Sequence, residues 1–231
     1  MLKEHGLIDL ENVAYTYSGG ELLSEMTLSI ASGAFYFLTG PSGSGKTTFL
    51  KMCYGALVPT AGNITIFDKD LRTMTRDDIA LTRRRIGVVH QDCQFLDHLN
   101  VVDNIALPLA AAGQDTLADG ANLKELLNWV GLGHRADALP PELSGGERQR
   151  AALARAVIMS PDIILADEPT GNVDWEMSQR LLQLLVELNR MGKTVVIASH
   201  DLSLIRAAKT EVQARVLRIY NKRVQLAGAN L

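Results

Sequence analysis

A phosphate-binding loop set between an apolar run and a helical stretch limits this chain to few folds. Gly40, Pro41, Ser42, Gly43, Ser44, Gly45, Lys46 and Thr47 fill every fixed position of G-x-x-x-x-G-K-[ST]. The run before it, 34–39, reads as a strand buried on both faces, and the stretch after it, 46–57, as a helix. That context gives the glycines a purpose. They let successive backbone N–H groups wrap phosphate oxygens, while a helix N-terminus favours negative charge. Lys46 then reaches the terminal phosphates, and the Thr47 hydroxyl suits Mg²⁺.

The rest of the chain supports a parallel sheet around this loop. Short strands are expected at 7–13, 26–30, 63–67 and 86–90. Apolar strands at 162–167 and 194–199 flank a helix whose leucines Leu181, Leu182, Leu184, Leu185 and Leu188 follow helical spacing, with Gly192 placed to end it. Such alternation argues for an α/β fold. The middle differs: 100–112 and 123–130 read as helices joined by a polar loop, 113–120, and Pro140 and Pro141 close the segment. Residues 95–140 are therefore read as an inserted helical lobe.

Two strand ends carry chemistry. Asp167 and Glu168 close an apolar strand at the carboxyl edge of the sheet, where open α/β folds bind ligands. There Asp167 can serve Mg²⁺ and Glu168 can polarise an attacking water. His200 ends another strand at the same edge.

Charge and cysteine content narrow the class. With 23 basic and 26 acidic residues among 231, the formal charge is -3, against a protein that depends on a basic face for nucleic acid. Two cysteines, Cys53 and Cys93, make no disulfide framework and fit a reducing compartment. Neither a secretory leader nor an apolar run of membrane-spanning length is visible, so a membrane role is expected to be peripheral.

Leu143, Ser144, Gly145, Gly146, Glu147, Arg148 and Gln149 complete the pattern. By themselves they read as a capping box, Ser144-x-x-Glu147, opening a helix to about 159, with glycine amides suited to an anion. Together with the loop at 40–47 and the strand ending in Asp167 and Glu168, they resemble the nucleotide-binding subunits of ABC transporters over residues 7–228. The resemblance implies an α/β fold: a P-loop NTPase (RecA-like) core with an antiparallel β subdomain, 1–94 and 141–231, and a helical subdomain at 95–140. It implies ATP and Mg²⁺ as cofactors. ATP contacts would come from residues 40–47 and Thr48, and, across a head-to-tail dimer of two copies, from Ser144, Gly145, Gly146, Glu147 and Asp174. Tyr17 matches the aromatic that stacks on adenine, though an edge aromatic of the sheet would look the same. Gln91 matches a glutamine that touches metal and water, with Thr47 and Asp167 as its companions on the metal. Lys46, Glu168, His200 and Gln91 would carry hydrolysis. Val173 stands where the family usually has leucine.

The stretches 82–96, 101–109, 166–174, 188–192 and 199–205 are similar to the FtsE-like cell-division branch of that family, which neighbours its lipoprotein-release and macrolide-efflux branches. The resemblance implies an FtsX-like polytopic membrane protein as partner, control of cell-wall hydrolysis as output, and a place on the cytoplasmic face of the inner membrane. The alternative is the ATPase subunit of a lipoprotein-release or small-molecule transporter. The partner is expected between Gln91 and Leu99, with Phe95, Leu96 and Leu99 either as its anchors or as core of the helical lobe. Arg83, Arg84 and Arg85 read either as a solvated cluster or as a contact for headgroups or partner acids. Asn221 and Lys222 replace an acidic–glycine hairpin turn. A soluble ABC protein of DNA repair or translation is disfavoured, because there is one P-loop, one signature and no cysteine cluster.

Overall fold

The computed structural model describes residues 6–114, 120–171 and 173–227. Two sheets form its frame. The first is antiparallel and built from β1 (Ile8–Tyr17), β2 (Gly20–Ile30), β4 (Ala61–Ile66) and β5 (Lys69–Asp70), in the order β2-β1-β4-β5. The second contains β3 (Phe35–Thr39), β6 (Ile86–Val89), β7 (Ile163–Asp167), β8 (Thr194–Ala198), β9 (Ala214–Tyr220) and β10 (Arg223–Leu226). Its order is β10-β9-β3-β8-β7-β6, parallel throughout except for β10.

Strands β3, β7 and β8 are buried along their whole length, so both faces must be covered. Their side chains alternate between two cores. Tyr36, Leu38, Leu165 and Val196 face a core shared with the antiparallel sheet and with Phe49, Leu50 and Met52 of α1 (Lys46–Cys53). Phe35, Phe37, Ile164 and Val195 face α5 (Gly145–Val157), α6 (Trp175–Arg190) and α7 (Leu202–Glu211). Each such fully buried large side chain stabilises the fold by about 1.5–3 kcal/mol. Gly87 in β6 lets α5 come close, since a Cβ there would stand 2.2 Å from the Ala156 carbonyl oxygen.

A third core lies among α3 (Val101–Ala111), α4 (Gly120–Trp129) and α5, with Val101, Ile105, Leu123, Leu127, Ala151 and Ala154. Asn104, fully buried in α3, ties the preceding loop to it. Its amide nitrogen donates to the carbonyls of Leu96, Leu99 and Asn100, and its oxygen accepts from the Leu96 N–H. The polar loop read at 113–120 falls mainly on 115–119, outside the described residues.

Several boundaries differ from the sequence reading. Helix α1 stops at Cys53 rather than near residue 57, because the chain turns through Gly55 at φ 67°. Helix α5 ends at Val157, two residues short of the expected 159. Strands β1 and β2 run longer than expected, through bulges where Asn12 (φ 49°) and Glu25 (φ 48°) break the alternation. A helix not anticipated, α2 (Arg76–Arg84), precedes β6 and is opened by a Thr75–Asp78 capping box.

Candidate active site

Four parallel strands end at one edge of the second sheet, in the spatial order β3, β8, β7, β6. The residues that follow them converge on a cleft of about 680 Å³. After β3 comes the glycine loop, after β8 His200, at the end of β7 Asp167 and then Glu168, and after β6 Gln91. All of these line the cleft, together with Thr48, Leu22 and Gly171. The strand ends named by the sequence are thus gathered by topology alone. Leu22 carries no motif signal and is delivered by β2, while Gly171, in the stretch that leads to Asp174, is delivered by the turn after Glu168.

The loop has the conformation its glycines permit. Gly43 and Gly45 sit at φ 74° and 103°, left-handed values that side chains resist. Gly45 caps α1 without a side-chain acceptor, so the first amides of that helix are left to a ligand. Lys46, nearly buried, donates from Nζ to the carbonyls of Gly40 (3.0 Å) and Pro41 (3.4 Å). Ser44 packs its hydroxyl against Gly40, where a Cβ would stand 2.6 Å away.

Across the cleft floor, the Thr47 hydroxyl donates to Asp167 Oδ2 at 2.6 Å. The other oxygen, Oδ1, is buried and has no hydrogen-bond partner. Burial pushes the Asp167 carboxyl above its ordinary range and the neighbouring Glu168 charge adds to this; the Thr47 bond and Lys46 oppose it. An orphaned carboxylate oxygen beside a threonine hydroxyl and the Gln91 amide is a hard-oxygen donor set of the kind Mg²⁺ takes. No group of three or more His, Cys, Asp or Glu placed to hold a metal ion exists among the described residues.

Glu168 is held from both sides. Its Oε1 lies 2.9 Å from His200 Nδ1 and 3.5 Å from Lys46 Nζ. Its backbone adopts φ 46°, and the strain is fixed by hydrogen bonds from Glu168 N–H to the Ala198 carbonyl and from Gly171 N–H to the Glu168 carbonyl.

Other residues singled out in the sequence stand elsewhere. Tyr17, at the end of β1, is exposed, packs edge-on to Tyr15 and brings its hydroxyl to 3.4 Å from Thr48 Oγ1, beside the cleft. The signature residues do not line the cleft of their own chain. Ser144 caps α5, its hydroxyl accepting from the Glu147 N–H, while Glu147 Oε2 accepts from the Ser144 N–H at 2.8 Å. These bonds hold the Glu147 carboxyl below its ordinary range. Asp174 caps α6 in the same way, accepting from Met177 N–H at 2.8 Å. Asn172 lies outside the described residues.

Between Gln91 and Leu99 the sequence left two readings open, partner anchors or core of the helical lobe, and Phe95 takes the second. It is flanked by the guanidinium groups of Arg148 and Arg155, 5.7 and 4.7 Å from its ring, and packs on two buried cores. Leu96 is exposed and Leu99 half-buried. A groove of about 580 Å³ opens next to this loop, lined by Arg83, Arg84, His90, Gln94, Pro108, Ala112, Arg155 and Met159 among others. Of the arginine triplet, Arg83 is spent on the carbonyls of Tyr54 and Gly55, and Arg85 on Asp162 and the Phe67 ring. Arg84 faces the groove. No helix of the described residues is long and apolar enough to cross a membrane.

Comparison with known proteins shows the family and the fold. The profile of the ABC transporter family matches residues 23–171. The chain is 40% identical over 209 residues to the cell division ATP-binding protein FtsE of Bacillus subtilis, covering 90% of this chain and 92% of that one. It is 41% identical over 200 residues to FtsE of Escherichia coli K12, covering 86% and 90%. Among solved structures it resembles the dimeric post-hydrolysis state of the ATP-binding cassette MJ0796 bound to ADP and Pi, with a TM-score of 0.85 at 32% identity, covering 94% of this chain and 96% of that one.

Proposed function

The chain belongs to the ABC transporter family, as an ATP-hydrolysing cassette of the FtsE type, and from that premise we propose how its residues divide the work. It is the ATPase subunit of an FtsEX-like complex and works as a dimer with a membrane partner. The observation that carries the mechanism is the division of the motifs: one cleft gathers Lys46, Thr47, Gln91, Asp167, Glu168 and His200, while Ser144–Glu147 and Asp174 stand outside it. A second copy, placed head-to-tail, supplies the missing half.

In this reading the amides of residues 40–47 and Lys46 Nζ bind the phosphates of ATP, and Tyr17 stacks on adenine. Thr47, Asp167 and Gln91 would hold Mg²⁺, which would neutralise charge on the phosphate oxygens. Glu168 orients the attacking water and takes its proton through Oε1. His200, bonded to that carboxylate before ATP binds, turns to the γ-phosphate. The amides at the start of α5 in the other copy close over the same phosphate. Loss of the γ-phosphate removes the charge bridging the two copies, and the dimer opens.

That motion is passed to the partner. The 580 Å³ groove between α2, β6, α3 and α5 receives a cytoplasmic segment of an FtsX-like membrane protein, and residues 95–140 act as the lobe that moves with it. The output is control of cell-wall hydrolysis at division, from the cytoplasmic face of the membrane.

A tagged pull-down from solubilised membranes, combined with phosphate release by the purified chain, tests this reading. An FtsX-like partner and Mg²⁺-dependent hydrolysis are expected. A permease with a dedicated substrate site would overturn the division role and leave the ATP chemistry in place.

A further inference from the structure

The two helix starts that stand outside the cleft touch each other through one side chain. Gly146 is the second residue of α5 and Met177 the third of α6. A Cβ built on Gly146 would lie 2.8 Å from Met177 Cγ, 3.0 Å from its Cε and 3.2 Å from its Sδ. Real Cβ contacts do not come that close, and Cγ is too near the backbone to swing aside without a change of rotamer. Gly146 does not have a left-handed φ, so its helical backbone would accept any L residue. What excludes a side chain there is therefore Met177 of the same chain.

Met177 is itself held from two directions. Its N–H donates to the capping Asp174 Oδ1 at 2.8 Å. Its sulfur accepts from the Arg150 guanidinium, one turn along α5 from Gly146, at 2.8 Å. The thioether is thus wedged into the notch that the missing side chain leaves, between an arginine of one helix and the cap of the other.

We propose that Met177 is a positioning residue for the half-site each copy offers to the other. By filling the notch at Gly146 it sets the offset between the start of α5, with Ser144–Glu147, and the start of α6, with Asp174. The two helix starts then meet the opposing nucleotide as one rigid face. On this account the glycine at 146 makes room for Met177 in its own chain. The inference rests on the ATP-sandwich reading above.

The test is a double-mutant cycle in the full chain carrying Glu168→Gln, which holds ATP without turnover. The ATP concentration giving half-maximal dimer is measured by gel filtration for the parent, Gly146→Ala, Met177→Ala and the pair. ADP binding to single subunits and the thermal midpoint are recorded beside it. Gly146→Ala is expected to raise the ATP requirement by about tenfold, the size of an overpacked contact. Adding Met177→Ala, which vacates the notch, should recover most of that loss. Met177→Ala alone should raise the requirement about fivefold with ADP binding unchanged, and Met177→Leu should restore it. If the pair is as impaired as the product of the single changes, the Cβ collides with the opposing nucleotide and the inference falls while the dimer stands. If the parent itself fails to dimerise with ATP, the sandwich reading falls and takes this inference with it. Should Gly146→Ala not fold, the contrast of Met177→Ala with Met177→Leu decides: equal ATP requirements overturn the proposal.

Discussion

His200 Nδ1 and Glu168 Oε1 lie 2.9 Å apart although the two residues close different strands, β8 and β7. The pair is asymmetric: the histidine side chain is 73% exposed and the glutamate 11%. The buried partner carries the left-handed backbone, and both line the same cleft. The glutamate is therefore aimed by its backbone, and the histidine is free to exchange the carboxylate for another acceptor.

Replacing Glu168 by Gln keeps the size and one acceptor oxygen but removes the base. Turnover should fall by about 10²–10⁴. ATP binding should persist, and the ATP-bound dimer should accumulate. Phosphate release and gel filtration with ATP read both effects; rapid hydrolysis by this variant would remove Glu168 from the role given it.

Asp167 separates stability from activity. Its carboxyl titrates above the ordinary range chiefly because it is buried, so ionisation disfavours the folded, ligand-free chain. Stability from this group is highest at low pH and declines as pH rises past the ordinary carboxylate value of 3.8. Asp167→Asn should therefore leave the thermal midpoint at neutral pH unchanged or raised, while Mg²⁺-dependent hydrolysis falls at least about a hundredfold. A chain that unfolds earlier yet still hydrolyses would contradict both halves.

The signature cap should be sensitive to acid. Glu147 titrates below its ordinary value of 4.5, first because it accepts the Ser144 N–H. A depressed carboxylate contributes stability that is full above the unfolded value and is lost as pH falls through the folded one. The α5 start should loosen below about pH 4.5. Glu147→Gln, which can still accept that N–H, should flatten this part of the acid profile. Circular dichroism during acid titration distinguishes the two proteins.

The parts legible in the sequence were those where one residue type has one physical use. Gly43 and Gly45 announce a left-handed loop, and the apolar runs ending at Asp167 and Ser199 announce buried strands with chemistry at their ends. Helix α2 escaped because it has no apolar stripe: Thr82 is its one buried residue, and Leu81 is exposed. Its Thr75-x-x-Asp78 cap was the available signal. Whether Phe95 is an anchor or core stayed open because nothing in the local sequence shows that Arg148 and Arg155, brought over by α5, flank its ring. The meeting of Gly146 with Met177 was equally invisible, being set by how α5 and α6 pack.

The hairpin joining β9 and β10 turns through Asn221 (φ 46°) and Lys222 (φ 64°). Two consecutive left-handed residues define the turn that favours Asn-Gly. Asparagine is suited to its place, whereas lysine carries a Cβ penalty of about 1–2 kcal/mol. Lys222 serves the turn through its backbone, its carbonyl accepting from Ser24 N–H at 2.8 Å, which glycine would keep. Lys222→Gly should therefore stabilise the chain by about 0.5–1 kcal/mol, seen as a higher thermal midpoint with unchanged ATP turnover.

The groove beside α2 makes a prediction about charge. Arg84 and Arg155 both line it, no carboxylate does, and neither arginine has an ion-pair partner among the described residues. Arg155 is the more confined: it is largely removed from water, spends one N–H on the Gln94 carbonyl and stacks on Phe95, and burial holds its guanidinium below the ordinary range. A half-buried cation without a counter-charge is costly unless something pairs with it. The partner's cytoplasmic segment should therefore bring a carboxylate to this groove, between the small apolar side chains of Ala111, Ala112 and Ala156. Arg84→Glu sits at the open side and puts a like charge against that carboxylate. It should weaken co-purification of the membrane partner by about tenfold or more while ATP hydrolysis by the isolated chain stays as before. Arg155→Met, which removes the cation but keeps much of the packing against Phe95, should weaken the partner less than it stabilises the free chain. Full recovery of the partner with Arg84→Glu would place the docking surface elsewhere.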